Sequence, residues 1–230
     1  MASWFRTGIM VAVVLILTRF LPFSAFFRNV NTLVHELAHA IAALVLQGKV
    51  MEIRLYADQS GVTLTSFQEG WMLIPIAFAG YAGASLFSVF LFWLHSKNWW
   101  KQGLVIVTAI TVLSLLLFIR NGYGIAWGAG FAALTAIVAF LSPDWLKRGY
   151  FLLISFICLV ESVVSAAVVL YLALVEPGSA GDAASLSQAA LLPAFVWGLL
   201  FVLISFWCAR LAIGQFFDVG RRQKEWLQNK

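Results

Sequence analysis

GYFLLISFICLVESVVSAAVVLYLALV, residues 149–175, decides the fold class of this chain, because its only charged residue is Glu161. About 20 consecutive apolar residues suffice for a helix to cross a bilayer, so this stretch predicts a transmembrane helix. The whole chain agrees: 62% of its residues are hydrophobic, 11% are charged and its mean hydropathy is +0.93. Soluble domains have about 45–50% apolar and about 25% charged residues. We therefore expect an integral membrane protein.

Further apolar segments along the chain predict an all-α, multi-pass bundle of six or seven transmembrane helices. No linker or low-complexity tract divides it, so we expect a single membrane domain over residues 1–230. The first segment is short before Arg19 and has a signal peptide as its alternative; since no small-residue cleavage pattern follows, we expect a retained anchor. The expected spans are 8–27, 30–47, 71–95, 103–119, 122–141, 149–175 and 191–213.

The basic residues that give the net charge of +5 are distributed as in a membrane protein and do not indicate a nucleic-acid surface. Short basic loops mark the cytoplasmic side of a membrane, so we place all the basic clusters there and the acidic loop 176–190 outside. Cys158 and Cys208 lie within apolar spans, so we expect no disulfide. The basic clusters are Lys97 with Lys101, Lys147 with Arg148, and Arg221, Arg222 and Lys224.

Two stretches outside the spans have structure of their own. Residues 49–66 alternate apolar and polar side chains around a DQSG turn, which predicts a β-hairpin. Residues 176–193 open with Pro and Gly, and Asp182 then precedes an alanine-rich segment. Asp182 is therefore expected either to cap a helix or to serve the site described next.

The motif VHELAHA, residues 34–40, places three titratable groups in an apolar segment. On a helix, His35 and His39 lie one turn apart on the same face, so that both can bind one metal ion. Glu36 lies beside that face. This H-E-x-x-H spacing suits zinc bound by two neutral imidazoles, with the carboxylate taking a proton from the metal-bound water.

The alternative for these residues is a polar cluster that only holds helices together. An ionisable group within a span costs roughly 2.5 to 3.5 kcal/mol and persists where it has a partner or a function. A metal ion provides a partner for both histidines and leaves Glu36 for chemistry. We expect Asn29 or Asn31 to cap the helix, with both histidines inside the membrane and reached by water.

A hydrolytic zinc site needs a third protein ligand and one open position. Glu161 is a candidate because it is expected at about the depth of His39, where a carboxylate without a partner is costly. Asp182 is the other candidate, provided that its segment dips into the membrane. The residues leave this choice open.

Several stretches together resemble the site-2 protease class of intramembrane zinc metallopeptidases, and most closely its compact bacterial and plant branch. The resemblance runs through most of the chain, although the Asn-Pro…Leu-Asp-Gly motif of better-known members is missing. The stretches are HELAHA at 35–40, the hairpin at 48–63, AGYAGAS at 79–85, RNGYG at 120–124, and GDAASL with LPAFVWG at 181–198.

The resemblance implies zinc bound by His35 and His39, catalysis by Glu36, and a third ligand that is either Glu161 or Asp182. It also implies a multi-pass protein of the bacterial cytoplasmic membrane that cleaves transmembrane or membrane-associated protein substrates. A contrasting interpretation is a non-hydrolytic transporter or scaffold, including an inactive protease relative, whose His-Glu cluster binds a metal or relays protons.

Overall fold

The structure is a computed structural model that describes the backbone of residues 2–20 and 24–228. Within these residues the chain forms eight α-helices, most of them long, and a two-stranded antiparallel sheet. The elements are α1 (Ala2–Phe20), α2 (Ser24–Val45), β1 (Lys49–Leu55), β2 (Gly61–Ser66), α3 (Leu73–Ser96), α4 (Trp100–Leu117), α5 (Gly122–Leu141), α6 (Asp144–Val175), α7 (Asp182–Ala189) and α8 (Ala194–Gln228).

Five of the described helices, α3, α4, α5, α6 and α8, are long and apolar enough to cross a membrane. The prediction of a largely helical multi-pass membrane protein with a short hairpin is confirmed. The count of six or seven spans stays a prediction. In α1 only the shorter stretch Thr7–Ile16 qualifies as an apolar helix, and α2 carries the polar motif residues along its buried face.

Helix α2 begins earlier than the sequence predicted. It starts at Ser24, so Asn29 and Asn31 are buried inside it and the expected cap at either residue is wrong. Asn29 instead donates a hydrogen bond from its amide nitrogen to the Tyr123 hydroxyl at 2.7 Å. At 1.5 Å per residue, His35 lies about 16 Å from the start of the helix. The motif is therefore deeper along its helix than the cap prediction implied.

The predicted hairpin at 49–66 is confirmed, and one of its two edges is covered. The Ile53 amide donates to the Phe118 carbonyl at 2.8 Å, and the Arg120 amide donates to the Ile53 carbonyl at 3.2 Å. The Asn121 side chain then pairs with both backbone groups of Leu55, at 3.1 and 2.6 Å. The α4–α5 connection thus occupies the outer edge of β1, and the structure places no strand against β2 on its other side within the described residues.

Helix α7 positions Asp182, the acidic residue of the segment after α6. It packs against α3 and α8, and Gly181 precedes it with a φ of 53°, a left-handed conformation that glycine adopts readily. The predicted N-cap role of Asp182 is wrong, because the cap position is Gly181 and no side chain caps the helix. Asp182 is instead the first residue of α7, and its side chain is turned toward α2.

The remaining predictions concern cysteines and charge. Cys158 and Cys208 are buried free thiols, which confirms that they form no disulfide. Lys147 donates to Asp144 at 3.1 Å near the start of α6. The basic cluster at residues 221–224 lies outside the residues whose side chains the structure describes.

Candidate metal centre

His35 and His39 lie on one face of α2 because they are one helical turn apart. Their Nε2 atoms are 3.0 Å apart. On the far side of its ring, His39 places Nδ1 at 2.7 Å from the carbonyl oxygen of Ile76 in α3. A carbonyl only accepts, so Nδ1 donates and the neutral ring keeps its lone pair on Nε2. This is the second-sphere arrangement that orients a metal-binding histidine.

Asp182 completes a group of three candidate ligand atoms. Its Oδ2 lies 3.2 Å from Nε2 of His35 and 3.2 Å from Nε2 of His39. The three atoms all lie within 4.8 Å of one another, and the described residues contain no other such group. Two imidazole nitrogens and one carboxylate oxygen are the ligand set that zinc takes in hydrolytic sites, with one position left open.

The surroundings of Asp182 show that the group fits a cation. Its Oδ2 is buried and has no partner in hydrogen-bond geometry among the described residues, although both imidazoles are close. Burial by itself raises the pKa of this carboxyl, but the neighbouring imidazoles of His35 and His39 outweigh it and leave the pKa lowered. The side chain is thus an ionised carboxylate beside two imidazole nitrogens, a donor set that a divalent cation stabilises.

Helix α3 leaves space for the two imidazoles at Gly80. A Cβ placed there would lie 2.5 Å from Nε2 of His39 and 2.6 Å from Cε1 of His35. At the next residue of α3, the ring of Tyr81 packs edge-on against His35, with the ring centroids 4.6 Å apart. The glycine therefore lets α3 approach the motif face of α2, and the AGYAGAS stretch has a specific role beside the histidines.

Glu36 lies next to the two histidines and is almost fully buried, with 5% of its surface exposed. Thr63 of β2 donates its hydroxyl to Oε2 of Glu36 at 2.6 Å and lies 2.9 Å from the Glu36 carbonyl oxygen. The carboxylate is therefore directed by the hairpin, which follows α2 in the chain and folds back onto it.

A cavity of about 500 Å³ opens beside these groups. Its walls come from α2, β2, α3, α6 and α7, so all three candidate ligands and Glu36 face the same space. Other residues that line it are Asn31, Thr32, Gln59, Gly61, Thr63, Thr65, Ile76, Tyr81, Ser165 and Ser185. The cavity supplies the room and polar surface that water and a peptide need next to a hydrolytic centre.

The structure separates the two acidic candidates. Asp182 is brought together with the histidines, whereas Glu161 of α6 faces Arg28 of α2, with Oε1 at 2.9 Å from Nε. Both side chains of this pair are mostly buried, at 10% and 18% exposed. Glu161 is not among the residues that form the three-ligand group.

Sequence reasoning missed Arg28 and Thr63. Arg28 lies seven residues before His35, two helical turns along α2, and a basic residue in an apolar helix requires a partner. That spacing was a usable signal. Thr63 could be found only by combining the alternation of β2 with knowledge of which face packs on α2.

Comparison with known protein families finds a match over most of the chain. A family model described as peptidase M50B-like matches residues 7–212, which is most of the chain and includes every residue of the site. No curated protein and no solved structure gives a significant match. The resemblance found in the sequence is confirmed: this multi-pass membrane protein belongs to the peptidase M50B-like family, within the site-2 protease class.

Proposed function

We propose that this protein is an intramembrane zinc metalloprotease of a cell membrane, which hydrolyses peptide bonds of membrane-embedded proteins. The observation that carries the proposal is the convergence of His35, His39 and Asp182 beside a buried glutamate and a polar cavity. A transporter that only binds the metal has no requirement for a further carboxylate beside the three ligand atoms.

In the proposed reaction, the protein holds and orients the ion with three side chains. His35 and His39 would hold the ion through Nε2, and Asp182 would hold it through Oδ2. Zinc held there would supply a Lewis acid for the scissile carbonyl and would acidify the attacking water. Glu36 would accept a proton from the attacking water and pass it to the leaving amine.

A helical substrate must unwind locally before attack, because its carbonyl groups are engaged in backbone hydrogen bonds. We propose that the unwound segment adds as a strand to the outer edge of β2. The outer edge of β1 is taken by the α4–α5 connection, whereas β2 lines the cavity with Gly61, Thr63 and Thr65. Main-chain pairing there gives a substrate hydrogen-bond partners where water is scarce.

The register defines which groups of β2 take part. Ile53 uses its N–H and C=O on the α4–α5 connection, so these groups point away from β2. Its cross-strand partner Thr63 therefore also directs its N–H and C=O away from β1, as in any non-hydrogen-bonded antiparallel pair. The outward-facing N–H and C=O of β2 thus include those of the residue whose hydroxyl donates to Glu36.

The test of hydrolysis compares wild type with Glu36→Gln. Each protein is reconstituted in phosphatidylcholine vesicles with a set of single-span test proteins that carry a helix-breaking Asn-Gly pair at different depths. We expect wild type to cleave at least one of them. Glu36→Gln should bind zinc equally and cleave none, because the amide cannot accept the proton. If the wild type binds zinc and carries it across the vesicle membrane without cleaving, the transporter interpretation is correct.

The strand-addition step has a separate test. A photo-crosslinking amino acid replaces Leu64, which is on β2 and partly exposed, in the Glu36→Gln background that retains substrate. The matched control carries it at Met51, an exposed position on β1. We expect a test protein cleaved by wild type to crosslink at 64 far more than at 51. Equal crosslinking at both positions would contradict strand addition at β2.

A further inference from the structure

We infer that Thr63 is a positioning residue that holds the Glu36 carboxylate in the orientation needed for proton transfer. The inference deepens the proposed function and rests on it, because it assumes that Glu36 is the proton acceptor. It assigns a catalytic purpose to the hairpin beyond a docking edge.

The first support is the hydrogen bond itself. A threonine hydroxyl carries one proton, and the Thr63 oxygen lies closer to Oε2 of Glu36, at 2.6 Å, than to the Glu36 carbonyl, at 2.9 Å. A hydroxyl bound to a carboxylate at this distance forms a charge-assisted bond, about twice as strong as a neutral one. The hydroxyl proton of Thr63 therefore points to Oε2 of Glu36 and not to the carbonyl oxygen. This hydrogen bond restrains the torsion about the Cγ–Cδ bond of Glu36.

The second support is the contact on the other side of the carboxylate. A Cβ added to Gly61 would lie 2.6 Å from Oε1 and 2.7 Å from Cγ of Glu36. The glutamate therefore lies directly against the main chain of β2, with Thr63 on one oxygen and Gly61 against the other. Terminal carboxylate torsions are broad when nothing restrains them, so two contacts from one strand narrow the orientations considerably.

The third support is the register of the sheet. Along β2 the side chains alternate, with Val62 and Leu64 exposed and Thr63 half-buried toward α2. Thr63 is paired with Ile53, the residue whose backbone groups are bonded to the α4–α5 connection. The position of the Thr63 hydroxyl is therefore set by the bundle through the sheet, and not by a free loop.

Orienting a reacting group has kinetic consequences that differ from those of binding. A misplacement of about 1 Å can cost about 100-fold in rate while substrate affinity is unchanged. A hydrogen bond to a charged group contributes about 1.5 to 3 kcal/mol, which corresponds to about 10- to 100-fold. The hydrogen bonds of the Thr63 hydroxyl go to Glu36 and not to the candidate metal ligands, so its loss should leave zinc bound.

The experiment compares Thr63→Val, Thr63→Ser and wild type in the vesicle assay. Valine matches the shape of threonine but has no hydroxyl, so we expect kcat to fall about 10- to 100-fold with KM and zinc content unchanged. Serine keeps the hydroxyl and should restore kcat to within about threefold of wild type. The control is Thr111→Val, which removes a buried hydroxyl that bonds only to Val107 of its own helix and should leave kcat unchanged.

Infrared spectroscopy separates failure of this inference from failure of the proposed function. With 13C-labelled glutamate, subtraction of the Glu36→Gln spectrum isolates the carboxylate band of Glu36. That band should move in Thr63→Val and remain in place in Thr63→Ser. An unmoved band, or an unchanged kcat, in Thr63→Val overturns the positioning role. Absence of cleavage by wild type overturns the proposed function, and the band shift still decides whether Thr63 orients Glu36.

Discussion

Glu161 is a buried carboxylate and Asp182 is a half-buried one, both facing α2, and the structure gives them opposite kinds of partner. Asp182 faces two imidazole nitrogens, whereas Glu161 faces the guanidinium of Arg28. Arginine is always protonated and offers only donors, so the second pair neutralises itself. With both imidazoles neutral, as metal binding requires, the first group keeps one negative charge and three convergent ligand atoms. The difference teaches that the partner of a buried carboxylate, more than its depth, decides whether it can bind a metal.

The two groups also differ in what removing one member leaves behind. Breaking a buried ion pair leaves an uncompensated charge in a medium of low dielectric constant, which destabilises the fold. Removing one ligand from a metal site leaves neutral imidazoles, which tolerate burial better. Mutation of the two carboxylates should therefore produce opposite patterns of zinc loss and fold loss.

The largest expected effect is on zinc affinity in Asp182→Ala. Loss of an outer-sphere partner alone costs about 10- to 100-fold in metal affinity, so loss of a ligand should cost more than about 100-fold. Chelator competition with metal analysis measures it, and cleavage should disappear with the metal. Asp144→Ala is the control, since its side chain is 81% exposed and away from the site. Wild-type zinc affinity in Asp182→Ala would contradict the role of Asp182 as a zinc ligand.

The next effect is on stability in Glu161→Leu. The variant leaves the Arg28 guanidinium buried without its carboxylate, and we expect about 3 kcal/mol of destabilisation in an unfolding titration. Zinc bound per folded molecule should be unchanged. The double variant with Arg28→Leu should recover most of the loss, because it removes both charges. Loss of zinc in Glu161→Leu without loss of stability would make Glu161 the ligand after all.

A smaller loss of zinc affinity is expected for Gly80→Ala. This variant tests whether α3 holds the imidazoles of His35 and His39 in place. The new methyl meets both imidazoles, so the rings must move and we expect roughly a 10-fold weaker site, comparable to loss of an outer-sphere contact. Gly130→Ala is the matched control on α5, where an added Cβ meets nothing within 4 Å. Equal zinc affinity in both variants would show that α3 does not restrain the histidines.

The smallest effect is expected for Glu52→Gln. Glu52 pairs with Arg54 on the hairpin surface, with the Arg54 side chain 46% exposed, and such exposed pairs contribute little. Zinc content, kcat and the melting temperature should all match wild type within error. A clear loss of stability would mean that surface charge pairs behave like the buried Arg28–Glu161 pair in this protein.

Much of the site could be predicted from the sequence because its periodicities are local. Residues four apart on a helix lie on the same face, which is enough to bring His35 and His39 together. The hairpin follows from the alternation of apolar and polar residues around the DQSG turn. The start of α2 could not be predicted in the same way. Asn29 has the residue type of a cap, but it lies inside the helix, and its side chain donates to Tyr123 of α5, a residue far away in the sequence.

The sequence by itself determined that this is a hydrophobic multi-pass protein with a histidine-glutamate motif in one helix and a hairpin just after it. Only the tertiary structure decided that Asp182 meets the histidines, that Glu161 meets Arg28, and that Thr63 meets Glu36. The reason is that helical and strand periods act between near neighbours in the chain. Which carboxylate reaches α2 depends on how α6 and α7 pack, and that is set by contacts between distant segments.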